Sequence, residues 1–376
     1  MNQHEEFMRA ALELAEKGRW STAPNPTVGA VLVRDGNIVA QGWHEVFGQA
    51  HAEVNCLRDA REKGIDPSLC TLYVTLEPCN HQGKTPPCTK AILEAGIPHV
   101  VIGMPDVNVQ ASGGAEFLRA HGVEVEMGVL EKECRDQIAD FVVWQTTKRP
   151  YVILKMASTL DGRIATRAGL SQRISNRASH EEVMRLRENI GRAGGAVLVG
   201  GNTFLLDNPR LTARTANAQR QPLAAVMTSR LPGAESTCHL LDERPGDCVF
   251  FSTAAQAASP SAAALRSRGA RVYGVDCPAG SHALDAEQVL TALREQENCL
   301  YVLCEGGGRL ALSLLERGLV DEYHLHLAPT ILGDADATPV FSGRTADSMD
   351  DALRMRVVKT AVLDGDIHLY FRADRG

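Results

Sequence analysis

The sequence predicts an α/β protein of two domains, and three observations predict it. Short apolar strands alternate with apolar residues at helical spacing along the whole chain, the pattern of sheets covered by helices. The alternation is interrupted at Lys148-Arg149-Pro150 and then begins afresh. The chain has 376 residues, and at ~150 residues per domain that is enough for two hydrophobic cores. The domains are therefore placed at 1–147 and 148–376.

In the first domain Phe7, Met8, Ala11, Leu12 and Ala15 recur at helical spacing, with Gly18 as the stop. Strands over 28–33 and 37–42 flank Asp35-Gly36, a hairpin signal. A helix over 51–62 and an apolar strand over 71–76 follow. Pro86-Pro87 suits the entry to a helix over 88–94. Strands over 100–103 and 123–127 enclose another helix, and one long helix over 131–146 ends the domain. In the second domain strands are expected over 151–157, 196–199, 222–228, 248–252, 271–275, 300–304, 322–328 and 368–371. Helices over 179–189, 261–268, 285–296 and 310–318 alternate with them.

Composition narrows the function. With 39 basic and 46 acidic residues the net charge is −7, which excludes a broadly basic nucleic-acid surface but not a local basic pocket. No apolar run approaches the ~20 residues of a membrane span, and the acidic start, Asn2-Gln3-His4-Glu5-Glu6, lacks the layout of a secretion signal. The expectation is a cytoplasmic protein with reduced thiols. Those of its ten cysteines that matter are then metal ligands or nucleophiles rather than crosslinks, and the eight other than Cys79 and Cys88 are assigned to packing.

Three pieces of the first domain belong together: His51-Ala52-Glu53, Glu77-Pro78-Cys79, and Cys88. One histidine and two cysteines leave a zinc ion an open fourth position for water. Two thiolates and a neutral imidazole cancel the ion's charge, so a nearby base must help remove the water's proton, and Glu53 is that base. A helix starting at Cys88 is expected to lower that thiol's pKa. His81 is the alternative fourth ligand of a closed, structural site. The combination H-x-E with P-C…C is the signature of zinc-dependent base deaminases. In that signature two residues separate the cysteines; here the stretch 80–87 does.

That longer loop, Asn80-His81-Gln82-Gly83-Lys84-Thr85-Pro86-Pro87, resembles the one in the bifunctional riboflavin-biosynthesis deaminase/reductase family. Ala23-Pro24-Asn25-Pro26-Thr27-Val28-Gly29 and His51-Ala52-Glu53-Val54 resemble the same family. The second half resembles its reductase domain in Lys155, Ser158-Thr159-Leu160-Asp161-Gly162-Arg163, Gly200-Gly201-Asn202-Thr203, Asp207-Asn208-Pro209, Leu211-Thr212-Ala213-Arg214 and Glu305-Gly306-Gly307-Gly308. Glycines between a strand and a helix let backbone amides close on a phosphate.

The resemblance implies a cytidine-deaminase-like three-layer α/β/α domain followed by a dihydrofolate-reductase-like α/β domain. It implies hydrolytic deamination of 2,5-diamino-6-(5-phosphoribosylamino)pyrimidin-4(3H)-one, then NADPH-dependent reduction of the ribosyl group to ribityl. One Zn²⁺ per chain and NADPH are the implied cofactors. By the same resemblance Asn25, His44, His81 and Lys84 bind the deaminase substrate. Lys155, Ser171, Arg187, Leu211, Arg214 and Glu305 bind the reductase substrate, and Lys155, taken as catalytic, or Glu305 polarises or protonates the imine nitrogen. Ala157, Arg173, Thr203, Asp207, Ser229, Gly307, Gly308, Arg309 and Leu310 bind the cofactor. The implied partners are small phosphorylated pyrimidines, without nucleic acid or membrane, and the implied assembly is a homo-oligomer, dimer or tetramer. Arg173, Thr228, Asn208 and Val107-Asn108-Val109 depart from the family's usual residues, but no zinc ligand does.

Two other readings compete. A nucleic-acid or nucleoside base deaminase with an unrelated C-terminal domain is disfavoured by the charge and the long Cys79–Cys88 loop. A structural zinc site joined to a nucleotide-sensing domain would need no turnover at all.

Overall fold

The computed structural model describes residues 3–81, 86–169, 174–278 and 283–373. The chain divides into two compact units, 1–147 and 148–376. No helix among the described residues is long and apolar enough to cross a membrane.

The first unit holds strands β1 (Gly29–Arg34), β2 (Asn37–Trp43), β3 (Thr71–Leu76), β4 (His99–Met104) and β5 (Glu124–Met127). Its helices are α1 (Gln3–Glu16), α2 (Ala52–Glu62), α3 (Cys88–Glu94), α4 (Gly114–Ala120), α5 (Glu131–Gln137) and α6 (Ala139–Thr146). The sheet order is β2-β1-β3-β4-β5. The β1–β2 hairpin and the β1–β3 pair are antiparallel; β3, β4 and β5 run parallel.

Two glycines show how the sheet is covered. A Cβ on Gly29 would lie 1.9 Å from the Ala11 carbonyl oxygen of α1, and one on Gly42 would lie 2.2 Å from the Cys56 amide nitrogen of α2. Only glycine lets helix and strand backbones approach so closely. Gly42 registers with Ala30, the neighbour of Gly29, so the two glycines face opposite sides of the sheet. Helices α1 and α2 therefore lie on opposite faces, giving three layers. The single helix expected over 131–146 is instead α5 and α6, because Ile138 leaves helical geometry at φ −109°, ψ 29°. Its side chain is buried at that break.

The second unit begins with β6 (Tyr151–Thr159) and β7 (Arg163–Ala165), then α7 (Arg177–Arg192), β8 (Ala196–Gly200) and α8 (Gly201–Asp207). It continues through β9 (Leu223–Met227), α9 (His239–Glu243), β10 (Cys248–Thr253), α10 (Ala254–Ala257), α11 (Pro260–Ser267) and β11 (Arg271–Val275). Then come α12 (Ala286–Glu295), β12 (Tyr301–Cys304), α13 (Gly308–Glu316), β13 (Glu322–Ala328), β14 (Thr338–Pro339), β15 (Met355–Leu363) and β16 (Asp366–Ala373). The main sheet runs β11-β10-β9-β8-β12-β6-β13-β16-β15. It is parallel from β11 to β13 and antiparallel through β16 and β15. A buried bidentate pair, Arg149 to Asp321 at 2.6 and 2.8 Å, fixes where β6 and β13 begin, and Asp321 also accepts from the Val152 amide.

Val152, Leu154 and Met156 of β6 enter a core with Leu290 of α12 and Leu314 of α13. Strand alternation sends Lys155 and Ala157 to the other face, the one on which α7 lies. Asn176 caps α7 by accepting from the Ser179 amide at 2.8 Å. Of the eight cysteines assigned to packing, seven are buried, but Cys277 is exposed, because β11 has already ended at Val275.

Candidate active sites

The first site gathers at the C-terminal ends of β3 and β4. His51 caps the start of α2, Cys79 follows β3 through Pro78, and Cys88 opens α3. The His51 Nδ1 atom lies 3.3 Å from Cys88 Sγ and 3.6 Å from Cys79 Sγ. All three donor atoms fall within 4.8 Å of one another, and His51, Cys79 and Cys88 form the sole such group among the described residues. Tetrahedral Zn–N and Zn–S bonds of ~2.0 and ~2.3 Å put nitrogen and sulfur ~3.5 Å apart, so this donor set fits a zinc ion. His81 is described and exposed, and its donor atoms lie outside the group. The closed four-ligand alternative is therefore not formed.

The thiols differ from the expected pattern. The Cys88 side chain donates to Cys79, which holds the Cys79 thiol well below the usual thiol range; Cys88 itself is pushed up by that shared proton and by burial. The Cys88 amide also donates to Cys79 Sγ, at 3.4 Å. The helix start thus favours a thiolate on Cys79, because its free N–H points there rather than at its own residue's sulfur. The hydrogen bond to Cys79 raises His51 against its burial.

Glu53 sits one residue into α2 and is buried, 3% exposed, yet it lines the cleft beside the donor group. Burial raises its carboxyl above the usual range, favouring the protonated form. Asn25 and His44 are brought together as expected: Asn25 Nδ2 lies 3.2 Å from His44 Nε2, and His44 Nδ1 lies 3.0 Å from the Ala50 carbonyl. The carbonyl can only accept, so His44 donates from Nδ1 and receives Asn25 at Nε2. Burial lowers its pKa and keeps that ring neutral. These side chains line a cleft of ≈ 280 Å³ that also includes His81, Phe47, Asp106, Asn108 and Phe141. Lys84 lies outside the described residues.

Sequence reasoning missed two functions here. Glu77 accepts from the Asp106 amide at 3.1 Å and from the Ala115 amide at 2.9 Å, so its carboxylate ties the Cys79 loop to β4 and caps α4. Gly114 completes the fit, since a Cβ there would lie 1.9 Å from the Pro78 carbonyl oxygen. Asp106 lines the cleft, with burial raising its carboxyl to about 6. Its position just past a parallel strand was the available signal.

The second site lies past β12, β6 and β8. One cavity of ≈ 310 Å³ is lined by Lys155, Ala157, His180, Arg187 and Glu305. Arg187 Nε donates to Glu305 Oε1 at 3.0 Å, its Nη2 donates to the other carboxylate oxygen, and its Nη1 donates to the Thr212 carbonyl at 3.1 Å. Burial lowers Lys155 to about 8, opposed by the Glu305 charge. A neighbouring cleft of ≈ 740 Å³ is lined by Thr203, Asp207, Ser229, Gly307, Gly308, Arg309 and Leu310, and by Thr228 and Arg230. The two spaces share Ile164, Thr203, Asp207 and Gly307. Leu211 is buried at φ +52° and lines neither. Arg214 is exposed, 3.4 Å from His180 Nε2. Ser171 and Arg173 lie outside the described residues.

Fold and sites together define a zinc-type base deaminase unit followed by a reductase unit whose glycine-lined cleft suits a nicotinamide cofactor. The family model for the RibD C-terminal domain matches residues 150–369, and the cytidine and deoxycytidylate deaminase zinc-binding region matches residues 1–104. The chain belongs to the RibD family, the bifunctional deaminase/reductases of riboflavin biosynthesis. It is 38% identical to the riboflavin biosynthesis protein RibD of Aquifex aeolicus, over 97% of each chain. It is 34% identical to that of Escherichia coli, over 98% of this chain and 99% of that one. Among solved structures it is similar to a diaminohydroxyphosphoribosylaminopyrimidine deaminase/5-amino-6-(5-phosphoribosylamino)uracil reductase from Thermotoga maritima, with 36% identity, 99% of both chains covered and a TM-score of 0.78. Acinetobacter baumannii RibD is similar at 33% identity, 98% of both chains and a TM-score of 0.75.

Proposed function

We propose that this chain deaminates 2,5-diamino-6-(5-phosphoribosylamino)pyrimidin-4(3H)-one in its first unit. We propose that its second unit then reduces the ribosylamine of the resulting uracil to a ribitylamine with NADPH. The observation that carries this reading is the pairing of the His51–Cys79–Cys88 donor group with buried Glu53 in one cleft. Domains 1–147 and 148–376 each carry one step, in the cytoplasm.

His51, Cys79 and Cys88 would hold a zinc ion, which when bound would supply a polarised water. Glu53 takes a proton from the attacking water as oxygen bonds to the ring carbon. It returns that proton to the exocyclic nitrogen as the carbon–nitrogen bond breaks and ammonia leaves. Its raised pKa suits it to hold the proton between the two transfers. Neutral His44, fixed by Asn25 and Ala50, orients the ring. His81 and Lys84 are assigned to the ribose phosphate.

In the second unit a reduced nicotinamide supplies hydride when bound. The ribosylamine ring opens to an imine; carbon receives the hydride and nitrogen a proton. Lys155, with its lowered pKa, is assigned as proton donor at that nitrogen. Arg187 neutralises Glu305, so Lys155 is not locked into a pair with it. Thr203, Asp207, Ser229 and the turn 307–310 are assigned to the cofactor, with Ala157 and Arg173. Ser171, Leu211 and Arg214 are assigned to the substrate with Glu305 and Arg187.

The test supplies the diaminopyrimidinone and NADPH to the whole chain, with and without chelator, and follows both products. The expected result is loss of deamination on chelation, while reduction of added 5-amino-6-(5-phosphoribosylamino)uracil persists. Full deamination by zinc-free protein overturns the first assignment; NADH used as well as NADPH overturns the cofactor assignment.

A further inference from the structure

Strands β8 and β12 are neighbours in the second sheet, yet the chain runs outward from β8 through β9, β10 and β11 before β12 returns on the other side of β8. All these strands run parallel, so the winding switches direction between β8 and β12. Open parallel sheets take nucleotides at such a switch, outside the carboxyl ends of the strands. The ≈ 740 Å³ cleft lies there, with Gly200 and Gly201 at the end of β8 and Gly307 and Gly308 past β12 in its wall.

Three charged side chains line that cleft among the described residues: Asp207, Arg230 and Arg309. Asp207 ends α8 and also lines the neighbouring cavity. Arg309 is the second residue of α13, beside the backbone amides that open that helix. Arg230 stands apart from both, just past the end of β9. Its side chain is exposed, and no ion pair or side-chain hydrogen bond engages it among the described residues.

The backbone that carries Arg230 is held. Met227 registers with Gly200, so the turn 228–230 lies beside the glycine turn of β8. A Cβ on Gly201 would lie 2.5 Å from Thr228 Oγ1, so glycine lets the two turns pack closely. Thr228 Oγ1 donates to the Arg230 carbonyl at 2.9 Å and accepts from the Arg230 amide at 3.2 Å. The Thr228 amide donates to the Phe251 carbonyl of β10 at 2.9 Å. Arg230 thus presents an unengaged guanidinium to the cleft from a fixed turn, and no carboxylate stands on that turn.

We propose that Arg230 is the specificity residue of the reductase unit, binding a phosphate on the 2′ position of the cofactor's adenosine ribose. The inference rests on the proposed nicotinamide-dependent reduction and adds to it what tells a phosphorylated cofactor from an unphosphorylated one. When a dinucleotide's diphosphate lies on the glycine turn of one strand, its adenosine ribose reaches the end of the adjacent parallel strand. An acid there accepts from free ribose hydroxyls, whereas an arginine there takes a 2′-phosphate. The end of β9 offers Thr228, whose hydroxyl is already engaged, then Ser229 and Arg230. A guanidinium fork matches two phosphate oxygens at once.

The test measures equilibrium binding of NADPH and NADH, and of adenosine 2′,5′-bisphosphate and 5′-AMP, to the zinc-loaded full chain and to its Arg230→Ala, Arg230→Lys and Arg309→Ala variants. Loss of a charge-assisted pair predicts that Arg230→Ala binds NADPH and the bisphosphate about tenfold or more weakly, with NADH and 5′-AMP changed far less. Arg230→Lys keeps the charge without the fork and recovers part of that loss. Arg309→Ala, at the diphosphate, weakens both cofactors alike. An NADPH-to-NADH affinity ratio unchanged in Arg230→Ala, or lost in Arg309→Ala instead, overturns the inference and leaves the proposed reduction standing. An unaltered chain that binds NADH as tightly as NADPH overturns the inference together with the cofactor assignment, and one that binds neither overturns the reduction as well.

Discussion

Replacing Glu77 with alanine tests how the zinc-ligand loop is held. The Glu77 carboxylate is 7% exposed and accepts two backbone N–H groups, from Asp106 at 3.1 Å and from Ala115 at 2.9 Å. Truncation orphans both donors, and each unsatisfied buried donor costs about 1–3 kcal/mol. The Ala115 amide is buried at the start of α4, whereas the Asp106 amide is less so and regains some water. The loss works out at about 3 kcal/mol, a large share of the ~5–15 kcal/mol that holds a domain. At roughly 2–4 °C per kcal/mol the first unit should melt about 6–12 °C lower. Cys79 lies two residues beyond Glu77, so zinc retention should fall with it. Calorimetry of chelated full-length protein and zinc content by mass spectrometry measure the two effects. Glu77→Gln keeps one carbonyl acceptor and should fall between. A melting point within 2 °C of the unaltered protein, or full zinc content in Glu77→Ala, refutes the reasoning.

Three further outcomes follow from the two sites. Glu53→Gln should lower deamination by about a hundredfold or more while zinc content and reductase activity persist; a tenfold smaller effect would remove Glu53 from the proton path. Lys155, lowered to about 8, donates only as the ammonium, so reductase kcat should fall as pH rises through about 8, and a profile flat beyond pH 9 contradicts that role. Arg187→Ala leaves Glu305 buried without its charge partner and should destabilise the second unit by about 3–5 kcal/mol. Adding Glu305→Gln should recover most of that loss, and denaturant unfolding that shows neither change counts against the pair's structural weight.

The zinc donors were readable because their chemistry restricts residue type and their neighbours mark strand and helix ends: Pro78 before Cys79, Pro87 before Cys88. Lys155 and Glu305 were reached through the family resemblance rather than through strand position; they lie within β6 and just past β12, adjacent parallel strands. What stayed hidden depends on contacts between distant segments. Glu77 looks like part of a motif, and its partners Asp106 and Ala115 are 29 and 38 residues away. Strand β15 was missed because it is a sheet edge with exposed residues on both faces, so it carries no burial alternation. The break at Ile138 was hidden because helical spacing continues across it. The cysteine expectation reversed because spacing shows that Cys88 starts a helix but not which sulfur its amide faces.

The order of strands in the second sheet has a consequence for how the protein is made. Strand β6 is synthesised first in its unit, yet its two sheet neighbours are β12 and β13. They emerge about 150 residues later, which at ~5–20 residues per second is roughly 8–30 s of translation. The deaminase unit, closed within residues 1–147, can fold in that interval. The strand bearing Lys155 waits with both edges unpaired, a target for chance strand pairing. On the growing chain the two activities therefore mature in the order in which their substrates are used.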